Sequence, residues 1–314
     1  MQYEFAPMEG LTDSIYRQLH HKYFSGISRY YTPFFSPTGQ PTMTARLQRE
    51  LPPVDAISYT LVPQILTKHS EHFIQMAELC KELGYTSVNL NLGCPSGTVT
   101  AKGKGSGMLR DTDSLCLFLE AVFKKSPLPI SVKTRIGYHD TGEFPRLVEI
   151  FNQYPIQYLI IHPRVRDAMY KGSVDMQAFA YASDNCKMPI CYNGNLCTLQ
   201  DIDSFSQNFP GQTAVMLGRG LIADPGMLAP GGTQIGALES FCVELLEAYT
   251  EAFGNSRNAM FRLKENWRYL ICKFDGGEKL YKRLRKTTDI SEYKSITQEI
   301  FHSLPLRNTL APDW

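Results

Sequence analysis

Strand-like runs alternating with amphipathic helical patterns predict an α/β fold. The predicted form is a (β/α)8 TIM barrel followed by a small C-terminal all-helical domain. Three observations carry this reading. Eight β-branched or aromatic runs recur between residues 3 and 217, helical periodicities separate them, and the alternation stops after Pro225. An open doubly wound sheet is the alternative, because alternation alone does not establish closure.

In chain order the runs are Tyr3–Ala6, Ser28–Thr32, Leu61–Ile65, Ser87–Asn91, Ile130–Thr134, Tyr158–His162, Ile190–Asn193 and Ala214–Leu217. Between them Phe73, Met76, Ala77 and Cys80 repeat at helical spacing, as do Leu115, Phe118, Leu119 and Val122. Pro225, Gly226, Pro230, Gly231 and Gly232 form a breaker-rich linker, which sets a barrel domain over 1–232 against a helical domain over 233–314. In the latter, Leu238, Phe241, Cys242, Leu245, Leu246 and Tyr249 mark one amphipathic helix. Met260, Leu263, Trp267, Leu270, Ile271 and Phe274 mark another.

With 314 residues, 43% of them hydrophobic and 20% charged, the composition is that of an ordinary globular chain. No apolar run approaches the ~18 residues that span a bilayer. Met1–Phe5 lacks the basic and apolar regions of a secretory signal, so the expected location is the cytoplasm, with no membrane partner. The expected cytoplasmic location speaks against a disulfide framework for the eight cysteines, and the absence of a CxxC pair speaks against zinc. Cys80, Cys116, Cys242 and Cys272 read as core residues. His69 and His72 have no acidic or cysteine partner at close spacing, and no metal is expected. Charge is uneven: residues 255–286 carry ten Lys or Arg against three acids, so the overall net charge of +1 does not exclude a polyanionic partner.

In a TIM barrel, function lies at the C-terminal ends of the strands. Those positions hold Pro7-Met8-Glu9, Gln64, Asn91 with Cys94, Lys133, His162, Asn193-Gly194-Asn195 and Gly218-Arg219. So many hydrogen-bonding side chains on one rim indicate a ligand site. The glycines after the last two strands let backbone N–H groups approach an anion, and Arg219 adds charge. Loops seven and eight are the recurrent phosphate cradle of this fold.

Six segments, in order, resemble the tRNA-dihydrouridine synthases of bacterial type, a family of FMN-dependent barrel enzymes. They are Ala6–Asp13, Asn89–Pro95, Val132–Gly137, Tyr170–Gly172, Tyr192–Asn195 and Leu217–Gly220. The resemblance covers residues 6–225, and a helical tail follows where the family also has one.

It implies an enzyme that uses NADPH to reduce FMN and then hydrogenates the C5–C6 bond of a tRNA uridine. Hydride goes to C6, and the Cys94 thiol protonates C5. A thiol suits that step, since its reference pKa of ~8.5 leaves it mostly protonated at neutral pH. By the same carry-over Pro7, Met8 and Glu9 line the flavin ring and Gln64 bonds its polar edge. Lys133 faces the N1/C2 side, His162 lies in the flavin site, and Asn193, Gly194, Asn195, Gly218 and Arg219 hold the phosphate. Asn91 contacts the uracil. In the tail Arg257, Lys264 and Arg268 share one polar helix face, expected to grip tRNA phosphates, and replacing Lys264 and Arg268 is expected to leave the fold intact.

Where the family commonly has His-Gly-Arg, this chain has His162-Pro163-Arg164. Proline removes an N–H there but leaves both side chains, and Arg164 and Tyr170 are expected among the substrate contacts. No dinucleotide fingerprint exists: Gly103–Gly107 reads GxGxG, so nicotinamide is expected to visit the flavin as a transient substrate. The Lys102–Gly107 loop reads as a flexible basic lid, with Lys102 toward RNA, or as a solvated glycine loop. A monomer is expected. Two rival functions are a flavin barrel acting on free pyrimidines and a non-catalytic RNA-binding protein. The first needs no basic tail, and the second needs neither Cys94 nor flavin.

Overall fold

The computed structural model describes residues 1–39 and 43–310; the remaining residues of the expected 1–232 and 233–314 domains lie outside the described set. A parallel sheet holds β1 (Gln2–Phe5), β2 (Arg29–Tyr31), β3 (Leu61–Val62), β4 (Gln64–Ile65) and β5 (Val88–Leu92). It continues with β6 (Ile130–Arg135), β7 (Tyr158–His162), β8 (Ile190–Tyr192) and β9 (Ala214–Leu217). Their order is β3-β2-β1-β9-β8-β7-β6-β5-β4.

All eight expected strands are present, one of them divided. β3 and β4 flank Pro63, which has no N–H for a ladder. Tyr30 pairs with Leu61 on one side of it, and Gln64 with Asn89 on the other. Both edges of the sheet thus meet in five consecutive residues, Leu61–Ile65, and the sheet closes as a barrel. An open doubly wound sheet is thereby excluded.

β5 reads VNLNL and is buried throughout, so its two asparagines share one face and its Val and Leu residues the other. The asparagine face points inward. Asn91 is in register with Lys133, Lys133 with Ile160, and Ile160 with Cys191. Ile160 and Cys191 belong to the interior cluster that includes Ala6, Tyr31, Val62, Ala214 and Met216. Polar side chains at the C-terminal ends of inward-facing rows are what a site at this rim requires. The predicted helix faces are also observed. Ser70–Glu82 buries Phe73, Met76, Ala77 and Cys80, and Thr112–Lys125 buries Leu115, Phe118, Leu119 and Val122.

The chain divides into two compact units. One takes Met1–Glu9, Ser28–Gly194 and Gly211–Met216; the other takes Gly10–Ile27, Asn195–Pro210 and Leu217 onward. In the second unit Asp13 caps the helix Ser14–Tyr23, accepting from Tyr16 N at 3.1 Å. The same carboxylate accepts from Tyr249 Oη at 2.7 Å and Arg262 Nη2 at 2.8 Å. It therefore joins the helices Ile235–Phe253 and Ser256–Leu270 to the first. The Met260–Phe274 pattern spans a helix ending at Leu270 and a 3-10 turn over Ile271–Lys273. Two further helices, Glu278–Lys286 and Ile290–Ser303, complete the tail. All eight cysteines are free thiols; Cys80 and Cys272 are buried, while Cys116 and Cys242 are half-buried. Among the described residues no helix is long and apolar enough to cross a membrane.

Candidate active site

Beyond β5 the chain turns at Gly93-Cys94-Pro95, and three groups hold that turn. Asn91 Oδ1 accepts from Gly93 N at 3.0 Å and Cys94 N at 2.8 Å. Ser106 donates to the Cys94 carbonyl from its N at 3.2 Å and its Oγ at 2.8 Å. Arg135 Nε donates to the Gly93 carbonyl at 3.0 Å.

The Asn91 carboxamide is itself oriented by a relay across the barrel. Its Nδ2 donates to Gln64 Oε1 at 2.7 Å, Gln64 Nε2 to Asn89 Oδ1 at 2.8 Å, and Asn89 Nδ2 to Ser131 Oγ at 2.9 Å. A carboxamide has two N–H donors, so Asn91 and Gln64 each keep one beyond this relay.

The second half of the expected lid, Gly105–Gly107, is not a solvated loop. Gly105–Leu109 are buried, and Gly105 has φ +58°. A Cβ on Gly105 would lie 2.9 Å from Cys94 O and 3.1 Å from Cys94 Cβ. Glycine is needed there for close approach under the turn, and the segment supports Cys94. Lys102 remains exposed; burial lowers the Lys104 pKa, and the like charges of Lys102 and Lys68 add to the effect.

Burial is the largest influence on Cys94 and pushes its thiol up; a hydrogen bond from the Ser96 backbone, then Lys133 and Arg135, pull the other way, and Glu9 adds to the rise. The thiol therefore keeps its proton at neutral pH. Burial lowers the Lys133 ammonium to about 8, with Arg135 adding to the effect. Arg135 is lowered to about 10, again mainly by burial, and stays charged. Pro7 and Met8 are half-buried after β1, while Glu9 is exposed and pairs with Arg46 at 3.0 Å.

At the end of β7, Arg164 Nη1 lies 3.0 Å from His162 Nε2. Guanidinium only donates, so that nitrogen accepts and the imidazole proton sits on Nδ1. Arg164 is 3% exposed and also donates to Gly172 O at 2.6 Å and Lys171 O at 3.4 Å. Expected at the substrate, it instead organises its own loop. Pro163 still ties into that loop through its carbonyl, which accepts from Asp175 N at 2.8 Å. The exposed group here is Tyr170, at 55%. Its ring stacks at 6.1 Å from His162 and lies 5.3 Å from the Arg135 guanidinium.

Within the barrel unit Asn193 Nδ2 donates to Met216 O at 2.8 Å, and Gly194 packs against Val174 and Tyr192, where a Cβ would come within 2.9 Å. Within the second unit Arg219 Nη2 donates to Asn195 Oδ1 at 3.1 Å, and Asn195 takes φ 46°. Gly218 precedes a short helix at Arg219–Ala223. In the tail Arg257 and Arg268 are exposed. Lys264 is not a purely solvated cation: its Nζ donates to the carbonyls of Arg285 and Thr287 at the end of the 278–286 helix. A cation there complements the helix terminus, so its replacement is not neutral to the fold.

Sequence reasoning gave Arg135 no role and placed Gly105 and Ser106 only in a lid or solvated loop. Period two from Lys133 pointed to Arg135, and the GxGxG spacing pointed to a backbone constraint. Nothing local said what that constraint was for.

A closed parallel barrel with a braced thiol turn and a half-buried lysine at its C-terminal rim defines a TIM-barrel enzyme. Residues 4–291 match the family model for dihydrouridine synthase, and the chain belongs to that family of FMN-dependent oxidoreductases. It is 27% identical over 301 residues to the tRNA-dihydrouridine(16) synthase of Shigella flexneri, covering 91% of this chain and 94% of that one. A probable tRNA-dihydrouridine synthase of Staphylococcus aureus is 25% identical over 309 residues, covering 94% and 91%. Among solved structures, morphinone reductase matches at a TM-score of 0.50 and 11% identity, covering 72% of this chain and 84% of that one, a likeness of fold.

Proposed function

We propose that the protein reduces the C5–C6 bond of specific tRNA uridines to 5,6-dihydrouridine, with NADPH as hydride donor, as a cytoplasmic monomer. The observation that carries this reading is the braced Cys94 turn, which holds a protonated thiol near half-buried Lys133 and buried Arg135.

The residues fit a flavin. Lys133 has no carboxylate among the groups that shift it, so its charge is available for an electron-rich ring. Gln64 keeps one N–H for the ring's polar edge, beside Pro7, Met8, Glu9 and His162. Arg219, Asn195 and Gly218 offer cation, amide and backbone to a phosphate, and Asn193 and Gly194 keep their assignment to the same cofactor. When bound, FMN supplies hydride to uracil C6. The chain's own residues do the rest. Asn91 holds the turn and offers its second N–H to the uracil, while Tyr170 presents a ring face to the substrate. Cys94 Sγ gives its proton to the carbanionic C5, and Lys133 and Arg135 stabilise the thiolate that remains. Exposed tail cations and Lys102 take phosphates.

Cys94→Ala tests this. The variant is expected to bind FMN and to accept hydride from NADPH as the wild type does, while losing at least about 100-fold in dihydrouridine formation. Single-turnover assays separate the half-reactions. Wild-type-like turnover of the variant on unmodified tRNA would remove Cys94 from its role. Faster turnover on free uracil than on tRNA would replace the substrate.

A further inference from the structure

Phe261 stands on the wrong face of its helix. The residues that Ser256–Leu270 buries are Ala259, Met260, Leu263, Asn266, Trp267 and Leu270, yet Phe261 is 41% exposed. Among the described residues it is the one exposed large hydrophobic side chain on this helix. Its helical neighbours are Arg257 and Asn258 before it and Lys264 and Glu265 after it. The Arg257 guanidinium lies 5.6 Å from the ring centroid and the Lys264 ammonium 5.0 Å. Arg268 extends the same stripe by one further turn.

An aromatic ring between two cations, within a run of ten basic and three acidic residues, matches unpaired nucleic acid. Bases offer a π-face to the ring, and the adjoining phosphates offer charge to the cations. A protein partner fits poorly, because one ring amid charges is far smaller than the apolar patches such contacts use. The Lys264 ammonium is held by the 285 and 287 carbonyls, so one cation beside the ring is fixed by the fold. Arg257 is exposed and able to move to a phosphate.

We infer that Phe261 is a stacking platform for an unpaired base of the tRNA, with Arg257 on a neighbouring phosphate. This rests on the reading of the protein as a tRNA-modifying enzyme. Stacking differs from phosphate contact in a measurable way: it releases no counterions, so it strengthens binding without steepening the salt dependence.

The test is the affinity of the full-length protein for unmodified tRNA across a salt series. Phe261→Ala should weaken binding about tenfold at every salt concentration, with the slope unchanged. Phe261→Trp should bind as the wild type does, and Phe261→Leu should behave like alanine, since leucine has bulk but no π-face. Equal melting temperatures would show that all three variants are folded. Unchanged affinity in Phe261→Ala would overturn the inference, as would full affinity in Phe261→Leu. Self-association of the wild type that Phe261→Ala abolishes would assign the ring to a second copy and overturn it too. If the wild type fails to bind tRNA, the proposed function falls with it; if only the variant effect is missing, this inference falls alone.

Discussion

The thiol turn and the basic tail helix use polar residues in opposite ways. Around Cys94 most hydrogen-bonding capacity is spent inside the protein: Asn91, Gln64, Asn89 and Ser131 form one relay, and Ser106 and Arg135 grip the turn's carbonyls. On the 256–270 helix, Arg257 and Arg268 are exposed. The first arrangement suits proton transfer, where a misplacement of about 1 Å costs about 100-fold in rate. The second suits a polyanion, whose phosphates reward charge without demanding one geometry. Lys264 shows that the division is not simply barrel against tail. It lies in the basic stripe, yet it is bound to carbonyls as firmly as the rim residues are.

The largest effect should come from loosening the turn. Asn91→Ala leaves the Gly93 and Cys94 N–H groups without their acceptor. Dihydrouridine formation should fall about 100-fold while flavin content and NADPH-driven flavin reduction persist. Single-turnover rates on tRNA check this, and an unimpaired rate would mean the turn holds its shape without the relay.

A smaller effect should appear as a pH profile. Lys133 loses its charge as pH rises through about 8, whereas the Cys94 thiol, pushed up from its ordinary value, keeps its proton further into the alkaline range. The lysine therefore sets the first alkaline limb. Flavin reduction by NADPH should fall about tenfold by pH 9 and lose that limb in Lys133→Arg. Persistence of the limb in the arginine variant would assign it to another group.

The smallest effect sharpens the contrast within the tail. Arg268→Ala should weaken tRNA binding a few-fold and flatten the salt slope by roughly one, at an unchanged melting temperature. Lys264→Ala should instead cost about 0.5–1 kcal/mol of stability, because a cation is lost from the 278–286 helix end. Thermal melting and a salt titration of both variants separate these outcomes. The same loss of stability in each would mean that Arg268 also has a structural partner.

The alternation of strands with helical faces was legible because apolar periodicity is local. Phe73, Met76, Ala77 and Cys80 declare a buried face without knowing what they face. The order of the motif segments likewise determined the family, and Asn89–Pro95 with Val132–Gly137 located the thiol and the lysine. Long-range contacts decided the rest. Closure of the barrel depends on Pro63 joining two sheet edges, the Gly105 segment supports Cys94 from eleven positions away, and Lys264 bonds carbonyls 21 and 23 residues on. A sequence states which hydrogen-bonding groups a residue owns. Which of them are already spent depends on partners that only folding brings within 3 Å, and that separates a residue holding the site together from one that meets the substrate.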